Sequence, residues 1–343
     1  MQTLAMISML FPPCAGSGAR IGLGGAPLGN LFARVDDAEA RALLDAAWAS
    51  GCRSFDTAPH YGHGLSERRL GDTLRCEPRE AFVLSSKVGR LLVPDPAAPR
   101  DQHGYVDVLP FSQLWDYSAA GVRRSVEDSL QRLGLSRLDV VFVHDCDAQT
   151  QGARSDAVRR QVIDESLPAL HAMKCEGLIR AVGLGINDVQ IVLDVLHEAD
   201  LDTLLLAGRY SLLDHSALAE LLPLCTVRGV RIALGGVFNS GLLATGTRSG
   251  DVARFDYAPA ARAWVERTAR IEAVCERHAV PLRAAALQFP LAHPAVDVVL
   301  VGARCAAEWL DALSMVQHPI PAAFWLDLRA AGLLPDDAPT PTQ

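Results

Sequence analysis

Phe55-Asp56-Thr57-Ala58-Pro59-His60-Tyr61-Gly62 passes from an apolar, strand-like stretch into a polar turn that carries an acid and a phenol. The same change of character recurs twice downstream. Phe82-Val83-Leu84-Ser85-Ser86-Lys87 ends in an amine, and Val140-Val141-Phe142-Val143-His144 ends in an imidazole. Polar groups at the C-terminal ends of successive strands, in a chain that alternates strands with helices, are what a (β/α)8 barrel uses to build a site on one rim.

Eight short apolar runs read as strands: Ile21-Gly22-Leu23, Arg53 to Asp56, Phe82 to Lys87, Asp139 to His144, Ile179 to Leu184, Thr203 to Ala207, Val230 to Leu234 and Val296 to Val301. Most are continuous Val/Leu/Ile runs without strict alternation, as in parallel strands buried on both faces. Helical patterns separate them. Asp36-Asp37 caps Ala38 to Ser50, Ser66 with Glu67 opens Glu67 to Leu74, Ser118 caps Ala119 to Leu133 before Gly134, and Asn187-Asp188 precedes Val189 to Ala199. Tyr257 to His278 reads as one long helix or two, and Cys305 to Leu313 as another. The repeat implies right-handed crossovers and a closed parallel barrel spanning residues 20–334. A doubly wound open sheet competes, but its opening turn calls for GxGxxG. Gly22-Leu23-Gly24-Gly25-Ala26-Pro27 has proline at the third glycine, and Gly183-Leu184-Gly185-Ile186-Asn187-Asp188 lacks it too.

Two long loops, Gly89 to Tyr117 and Phe238 to Ala258, follow the third and seventh strands and belong on the C-terminal face, where structureless loops of this length act as lids or binding loops. Residues 1–19 read as a flexible leading segment and residues 335–343 as a disordered tail. Leu4 to Phe11 is apolar but has no Lys or Arg before it, which argues against a secretory signal. The 8 cysteines are scattered without CxxC spacing, so free thiols in a cytoplasmic protein are expected. A net charge of -8 with mixed signs argues against nucleic acid or an anionic membrane as partner.

Taken singly, an Asp after a strand caps a helix, a Tyr packs, a Lys is solvated and a His is structural. Together at successive strand ends, Asp56, Tyr61, Lys87 and His144 suit proton transfer to or from a carbinol or carbonyl oxygen. Lys87 supplies a charge expected to lower the Tyr61 phenol, Asp56 holds Lys87, and His144 donates to the substrate oxygen. Hydride needs a cofactor, because no side chain accepts or delivers it. His60 and His63, or His144 with Cys146 and Asp147, lack the spacing of a known metal site, so no metal is expected. Cys146 as a nucleophile has no remaining base once His144 is used. Trp115, in the first long loop, is a candidate wall of the substrate pocket.

Asp56-Thr57-Ala58-Pro59-His60-Tyr61-Gly62-His63-Gly64-Leu65-Ser66-Glu67-Arg68-Arg69-Leu70-Gly71 resembles the DTAxxYGxGxSExxLG signature of the aldo-keto reductase superfamily. By position, Asp56, Tyr61, Lys87 and His144 correspond to that family's catalytic tetrad. The resemblance implies a (β/α)8 barrel that binds NAD or NADP without a Rossmann fold. Leu23 to Leu31, Ser85 to Arg90, Arg209 to Asp214, Asn239 to Leu243 and Phe324 to Leu334 are similar to bacterial L-fucose (D-threo-aldose) 1-dehydrogenases and to the related pyridoxal 4-dehydrogenase group. The implied reaction is oxidation of an aldose at C1 to a lactone, with Tyr61 as base. The alternatives are pyridoxal oxidation and, in another class, a nicotinamide-binding regulatory subunit without turnover.

The resemblance also implies cofactor contacts from Asp56, Asn187, Gly302, Arg304 and Glu308, and substrate contacts from Tyr61, His144 and Trp115. Three departures stand out. Gly185-Ile186-Asn187 replaces the usual Ser-Asn, Arg209-Tyr210 occupies the place of a Gln, and Leu234-Gly235-Gly236 lacks the aromatic that stacks on nicotinamide. At Gly302-Ala303-Arg304-Cys305-Ala306-Ala307-Glu308, a helix start suits the dinucleotide phosphates. Glu308 falls near a second cation's usual place and would repel a 2′-phosphate, which favours NAD over NADP.

Overall fold

The computed structural model describes residues 9–250 and 252–342. Eight parallel strands close into a barrel in the order β1-β12-β9-β8-β7-β6-β3-β2. They are β1 (Ile21–Gly24), β2 (Ser54–Asp56), β3 (Val83–Val88), β6 (Val140–His144), β7 (Ala181–Ile186), β8 (Thr203–Ala207), β9 (Arg231–Gly235) and β12 (Val296–Gly302). Each corresponds to one of the eight apolar runs. The fifth is displaced toward its C-terminal end, so Gly185 and Ile186 lie in the strand and Asn187 follows it directly.

The helix-start chemistry acts as the sequence suggests at three places. Asp36 accepts from Glu39 N (2.7 Å) to open Asp37–Ala49. Ser118 accepts from Gly121 N (3.0 Å) to open Ala119–Leu133, which Gly134 ends in a left-handed conformation. Asp188 accepts from Gln190 N and Ile191 N to open Val189–Glu198. Ser66 behaves differently. Gly64 precedes the helix Leu65–Leu74, and the Ser66 hydroxyl turns inward to Gly25 O (2.7 Å).

Both long loops have structure of their own. Gly89 to Tyr117 holds an antiparallel hairpin of β4 (Arg90–Pro94) and β5 (Phe111–Trp115), in which Arg90 pairs with Trp115. Phe238 to Ala258 holds a short helix, Leu242–Thr245, and a small hairpin of β10 (Arg254–Phe255) and β11 (Ala258–Pro259). The helix expected from Tyr257 therefore begins at Arg262 and runs to His278. The turn at Asp256 and Tyr257, both at positive φ, consumes the residues before it.

The chain ends also differ from expectation. Residues 1–8 lie outside the described residues, but Phe11 is fully buried. It packs with Val140, Phe142, Ala181, Leu205, Ala233, Val298 and Leu300, which fill the barrel interior. Leu10 N donates to Asp297 Oδ2 (3.0 Å) and Ser54 Oγ to Pro12 O (3.0 Å), fixing this plug under the N-terminal ends of the strands. An aromatic ring that closes an otherwise open apolar barrel contributes about 1.5–3 kcal/mol by burial alone. At the other end Ala338 is buried, and Arg329 donates to Ala338 O (2.8 Å) and Thr340 Oγ1 (3.2 Å). The segment expected to be a disordered tail is thus docked as far as Thr340, where Arg329 holds one carbonyl and one hydroxyl beside the buried Ala338.

Candidate active site

β2 ends at Asp56, directly beside Ser85 of β3, and Lys87 lies on β3 beside Phe142 of β6, whose last residue is His144. The register alone brings an acid, an amine and an imidazole to one rim. Lys87 Nζ donates to Asp56 Oδ2 (2.7 Å) and Thr57 O (2.9 Å), and Ser85 Oγ donates to Asp56 Oδ1 (2.7 Å). The ion pair is almost wholly buried, with 1% of the Lys87 and 5% of the Asp56 side chain exposed. Burial pulls the Lys87 ammonium below the ordinary lysine range, and the charge and hydrogen bond of Asp56 oppose that pull.

Tyr61 reaches the rim through a tight turn after β2. Gly29 and Gly62 pack backbone to backbone there. A Cβ on Gly29 would lie 2.6 Å from Gly62 N, and Gly62 has a φ of +65°. The rest of the signature braces this turn from beneath. Thr57 Oγ1 lies 2.9 Å from Ser66 Oγ, and the buried Glu67 accepts from Ser86 Oγ (2.8 Å) and Arg132 Nε (2.5 Å). A Cβ on Gly71 would lie 2.5 Å from Leu133 O, so the signature's last glycine lets two helices touch.

Lys87 Nζ sits 4.6 Å from the centre of the Tyr61 ring, and the Tyr61 and His144 rings meet edge to face at 6.2 Å. This geometry corrects one expectation. The ammonium lies over the ring, and the phenol is held well above the usual tyrosine range. Burial is the main cause, with Asp56, Tyr105, Tyr257 and Asp145 adding to it. At neutral pH the Tyr61 phenol keeps its proton and can donate it. His144 moves the opposite way. Burial, then Arg90, Lys87 and His60, push its imidazole well below the usual histidine range, so it is neutral.

The first long loop covers this site. Tyr105 stacks on Tyr61 (6.0 Å, 26°) and meets His60 edge on (5.1 Å). Gln113 of β5 lies against His60 Nδ1, its amide nitrogen at 2.9 Å. His63 Nδ1 donates to Phe111 O (2.6 Å), which leaves His63 Nε2 buried without a partner among the described residues. From the second long loop, Tyr257 faces Phe32 (6.3 Å). Arg209 donates to Asn187 O (2.6 Å) and, in bidentate fashion, to Asp256 (2.7 and 3.0 Å), tying that loop to the ends of β7 and β8.

Trp115 stands one layer back. Its ring stacks on Tyr117 (5.9 Å) and lies under the Arg90 guanidinium (4.1 Å). Arg90 in turn touches His144, so Trp115 supports the site through Arg90. Tyr210 lies away from the rim, fully buried against Phe289 and His293. Sequence reasoning missed Arg90, Tyr105 and Asp145. Arg90 closes the quoted Ser85 to Arg90 stretch, and its spacing from Lys87 was the available signal. Tyr105 sits in irregular chain where no periodicity marks it.

The Aldo/keto reductase family profile matches residues 20–332. The chain belongs to this family. A pyridoxal 4-dehydrogenase of Microbacterium luteolum is 44% identical to this aldo-keto reductase over 92% of the chain and 94% of the relative. A D-threo-aldose 1-dehydrogenase of a Pseudomonas species is 39% identical over 94% and 98%. A holo-form aldo-keto reductase of Bacillus halodurans superposes with a TM-score of 0.71, covering 98% of this chain and 99% of its own; at 24% identity it speaks for the fold. This aldo-keto reductase is therefore an enzyme of a family that uses NAD(P)H.

The residues present fit such a dinucleotide. Gly302 ends β12 exposed, with Pro27 so close that a Cβ would lie 3.1 Å from its ring. The helix Ala306–Gln317 then starts with no side-chain cap at Cys305, leaving first-turn N–H groups for phosphate. Arg304 and Glu308 pair with each other (2.7 Å), and Glu308 also accepts from Arg304 N (2.8 Å). Asn187, half-buried just past β7, lies on the same C-terminal rim.

Proposed function

We propose that this aldo-keto reductase oxidises the C1 carbinol of a cyclic aldose, L-fucose or a related threo-configured sugar, to the lactone. The observation that carries this reading is the Tyr61 phenol set edge to face with a neutral His144 above a buried Lys87–Asp56 pair. The nicotinamide supplies the hydride acceptor that no side chain can provide. Asp56, Asn187, Gly302 and Arg304 would hold the dinucleotide.

The substrate hydroxyl lies between Tyr61 Oη and His144. His144 donates from its protonated ring nitrogen to the substrate oxygen and orients the carbinol carbon. Tyr61, once it has lost its own proton to solvent, takes the hydroxyl proton as the C1–H bond gives up its electron pair as hydride. Because burial holds this phenol up, its ionisation limits oxidation at neutral pH, whereas reduction of a carbonyl finds the proton already in place. Lys87 and Asp56 keep a fixed dipole beneath the phenol and exclude water from it. His60, Gln113 and His103 lend the rim hydrogen-bonding groups suited to a polyhydroxylated ring.

The Glu308 carboxylate on Arg304 favours NAD over NADP. A 2′-phosphate would meet a guanidinium already engaged and an anion beside it, whereas a ribose hydroxyl meets an acceptor.

Pyridoxal is the second reading, favoured by the 44% identical relative and by the aromatic rim of Tyr105, Tyr257 and Phe32. Pyridoxal carries an aldehyde beside a hydroxymethyl group and closes to a cyclic hemiacetal, so the same proton and hydride transfers serve it. Initial rates of NAD and NADP reduction with L-fucose, D-arabinose, L-galactose and pyridoxal separate the two. Sugar-dependent NADH formation is the expected result. Turnover of pyridoxal alone moves the enzyme to the second reading, and cofactor binding with silence on all four points to a non-catalytic nicotinamide-binding role.

A further inference from the structure

Arg90 is the first residue of β4, placed by a sharp reversal at Gly89. That glycine has a φ of +109°, and the Tyr117 ring lies so close that a Cβ would sit 2.5 Å from it. The turn sends Arg90 inward, where its side chain is 8% exposed. Nη2 donates to Asp145 Oδ2 (2.6 Å), Nη1 faces His144 Nδ1 (3.4 Å), and the guanidinium plane covers Trp115. The main chain under these groups is pinned. Tyr117 Oη, with one proton to share, lies 2.8 and 2.9 Å from the His144 and Asp145 carbonyl oxygens, and Gln151 Nε2 donates to Asp145 O (2.8 Å). Asp145 itself sits at a φ of +49°.

A guanidinium has only donors. The nitrogen of His144 that faces it must therefore present its lone pair, and the ring proton belongs on Nε2. That is also the nitrogen 3.5 Å from Asp145 Oδ1. Asp145 is thus a competitor for the proton that the substrate oxygen needs, and Arg90 holds its carboxylate.

We propose that Arg90 is a positioning residue: it fixes His144 as the neutral Nε2–H tautomer and keeps the Asp145 carboxylate from taking or charging that imidazole. The functional part rests on the role given to His144 above. Other groups set the same field. Lys87 faces His144 from β3, and His60 and Tyr61 face it from the turn after β2, while Asp56, Tyr105 and Tyr257 act on the neighbouring Tyr61 and Asp147 acts on Asp145. Lys87 and His60 also disfavour the imidazolium, but among the described residues only Arg90 reaches the side chains of both His144 and Asp145.

The test is nitrogen NMR of the His144 ring in the full-length protein, read with the pH profile of kcat/KM. In the unmodified protein Nε2 carries the proton and the ring does not titrate between about pH 6 and 9. In Arg90→Met the ring is expected to titrate within that range, and kcat/KM to fall about tenfold or more with a new pH-dependent limb, the loss residing in kcat. Arg90→Lys keeps a charge without the fork and should recover part of the rate. Arg90→Met with Asp145→Asn should return His144 to a neutral ring. A proton on Nδ1 in the unmodified protein overturns the proposal even if no Arg90 variant folds. So does a folded Arg90→Met protein with an unchanged tautomer and an unchanged pH profile. Failure of the His144 role itself reads differently: His144→Gln would then leave kcat unchanged whatever the tautomer.

Discussion

Replacing Lys87 by Met keeps the volume of the side chain and removes its charge from under the site. The partner left behind is Asp56, of which 5% is exposed. Breaking a buried ion pair by removing one member costs about 3–5 kcal/mol, because the other charge stays desolvated. Asp56 keeps the Ser85 hydroxyl at 2.7 Å, which places the loss near the lower end of that range. Thr57 O loses its only charged donor, adding about 1 kcal/mol. The expected loss is therefore about 3–4 kcal/mol. With a urea slope of about 3 kcal/mol/M, the unfolding midpoint drops by about 1 M. Asp56→Asn in the same chain removes the stranded charge and still offers Ser85 an acceptor, so the double variant should regain about 1–2 kcal/mol over Lys87→Met. Both proteins should lose most turnover. Equilibrium urea unfolding followed by tryptophan fluorescence reads the comparison. A Lys87→Met midpoint equal to that of the unmodified protein, or a double variant less stable than the single one, would refute a buried, charged pair.

Other expectations concern the plug, the cofactor corner and the pH profile. Phe11→Ala should cost about 3–5 kcal/mol in urea unfolding by opening a cavity in the barrel interior. Its turnover without denaturant should stay near normal, because the plug lies at the end of the barrel away from Tyr61. Glu308→Ala releases the Arg304 guanidinium from its carboxylate partner, so the NADP to NAD ratio of kcat/KM should rise roughly tenfold, as one charge-assisted contact to phosphate implies. In the oxidation direction, kcat/KM should climb with pH from about 7 to 10 without a plateau, since the Tyr61 phenol is raised above its usual value and must ionise. His144, lowered well below 6.5, contributes no inflection in that window, and a bell centred near neutrality would contradict both directions of shift.

The barrel was legible because its signals are local. Eight Val/Leu/Ile runs mark the strands, and Asp36, Ser118 and Asp188 mark helix starts through contacts within a few residues. The cluster of Asp56, Tyr61, Lys87 and His144 was legible for the same reason: Asp56 and His144 end their strands, Lys87 is next to last in its own, Tyr61 closely follows one, and strand ends of a closed barrel must meet. What stayed hidden depends on long-range contact. Residues 148–175 carry no clear apolar period and still form helices, among them Ser155–Gln161 and Leu167–Cys175, that pack on the barrel. Leu282–Leu291 holds Pro290 inside a helix whose buried Ala284, Ala285, Ala286, Leu287 and Phe289 compensate by packing. The rise of the Tyr61 phenol, against the expected fall, comes first from burial and then from Asp56, with Tyr105 adding to it from a loop that no spacing in the sequence announces. The Arg90–His144–Asp145 contacts follow from one reversal at Gly89.

Among the described residues, no helix is long and apolar enough to cross a membrane, and all eight cysteines are free thiols. Cys146, buried beside Asp147 and Asp145, has its thiol pushed up, which leaves it a poor nucleophile next to the site.

The most direct test of the proposed chemistry is Tyr61→Phe, assayed for turnover of the best substrate and, by quenching of tryptophan fluorescence, for NADH binding. The substitution deletes one oxygen from a ring held by Tyr105 and His144, so fold and cofactor affinity should persist while kcat falls by about a hundredfold or more. Retained turnover in that variant would contradict the assignment of Tyr61 as the group that moves the proton.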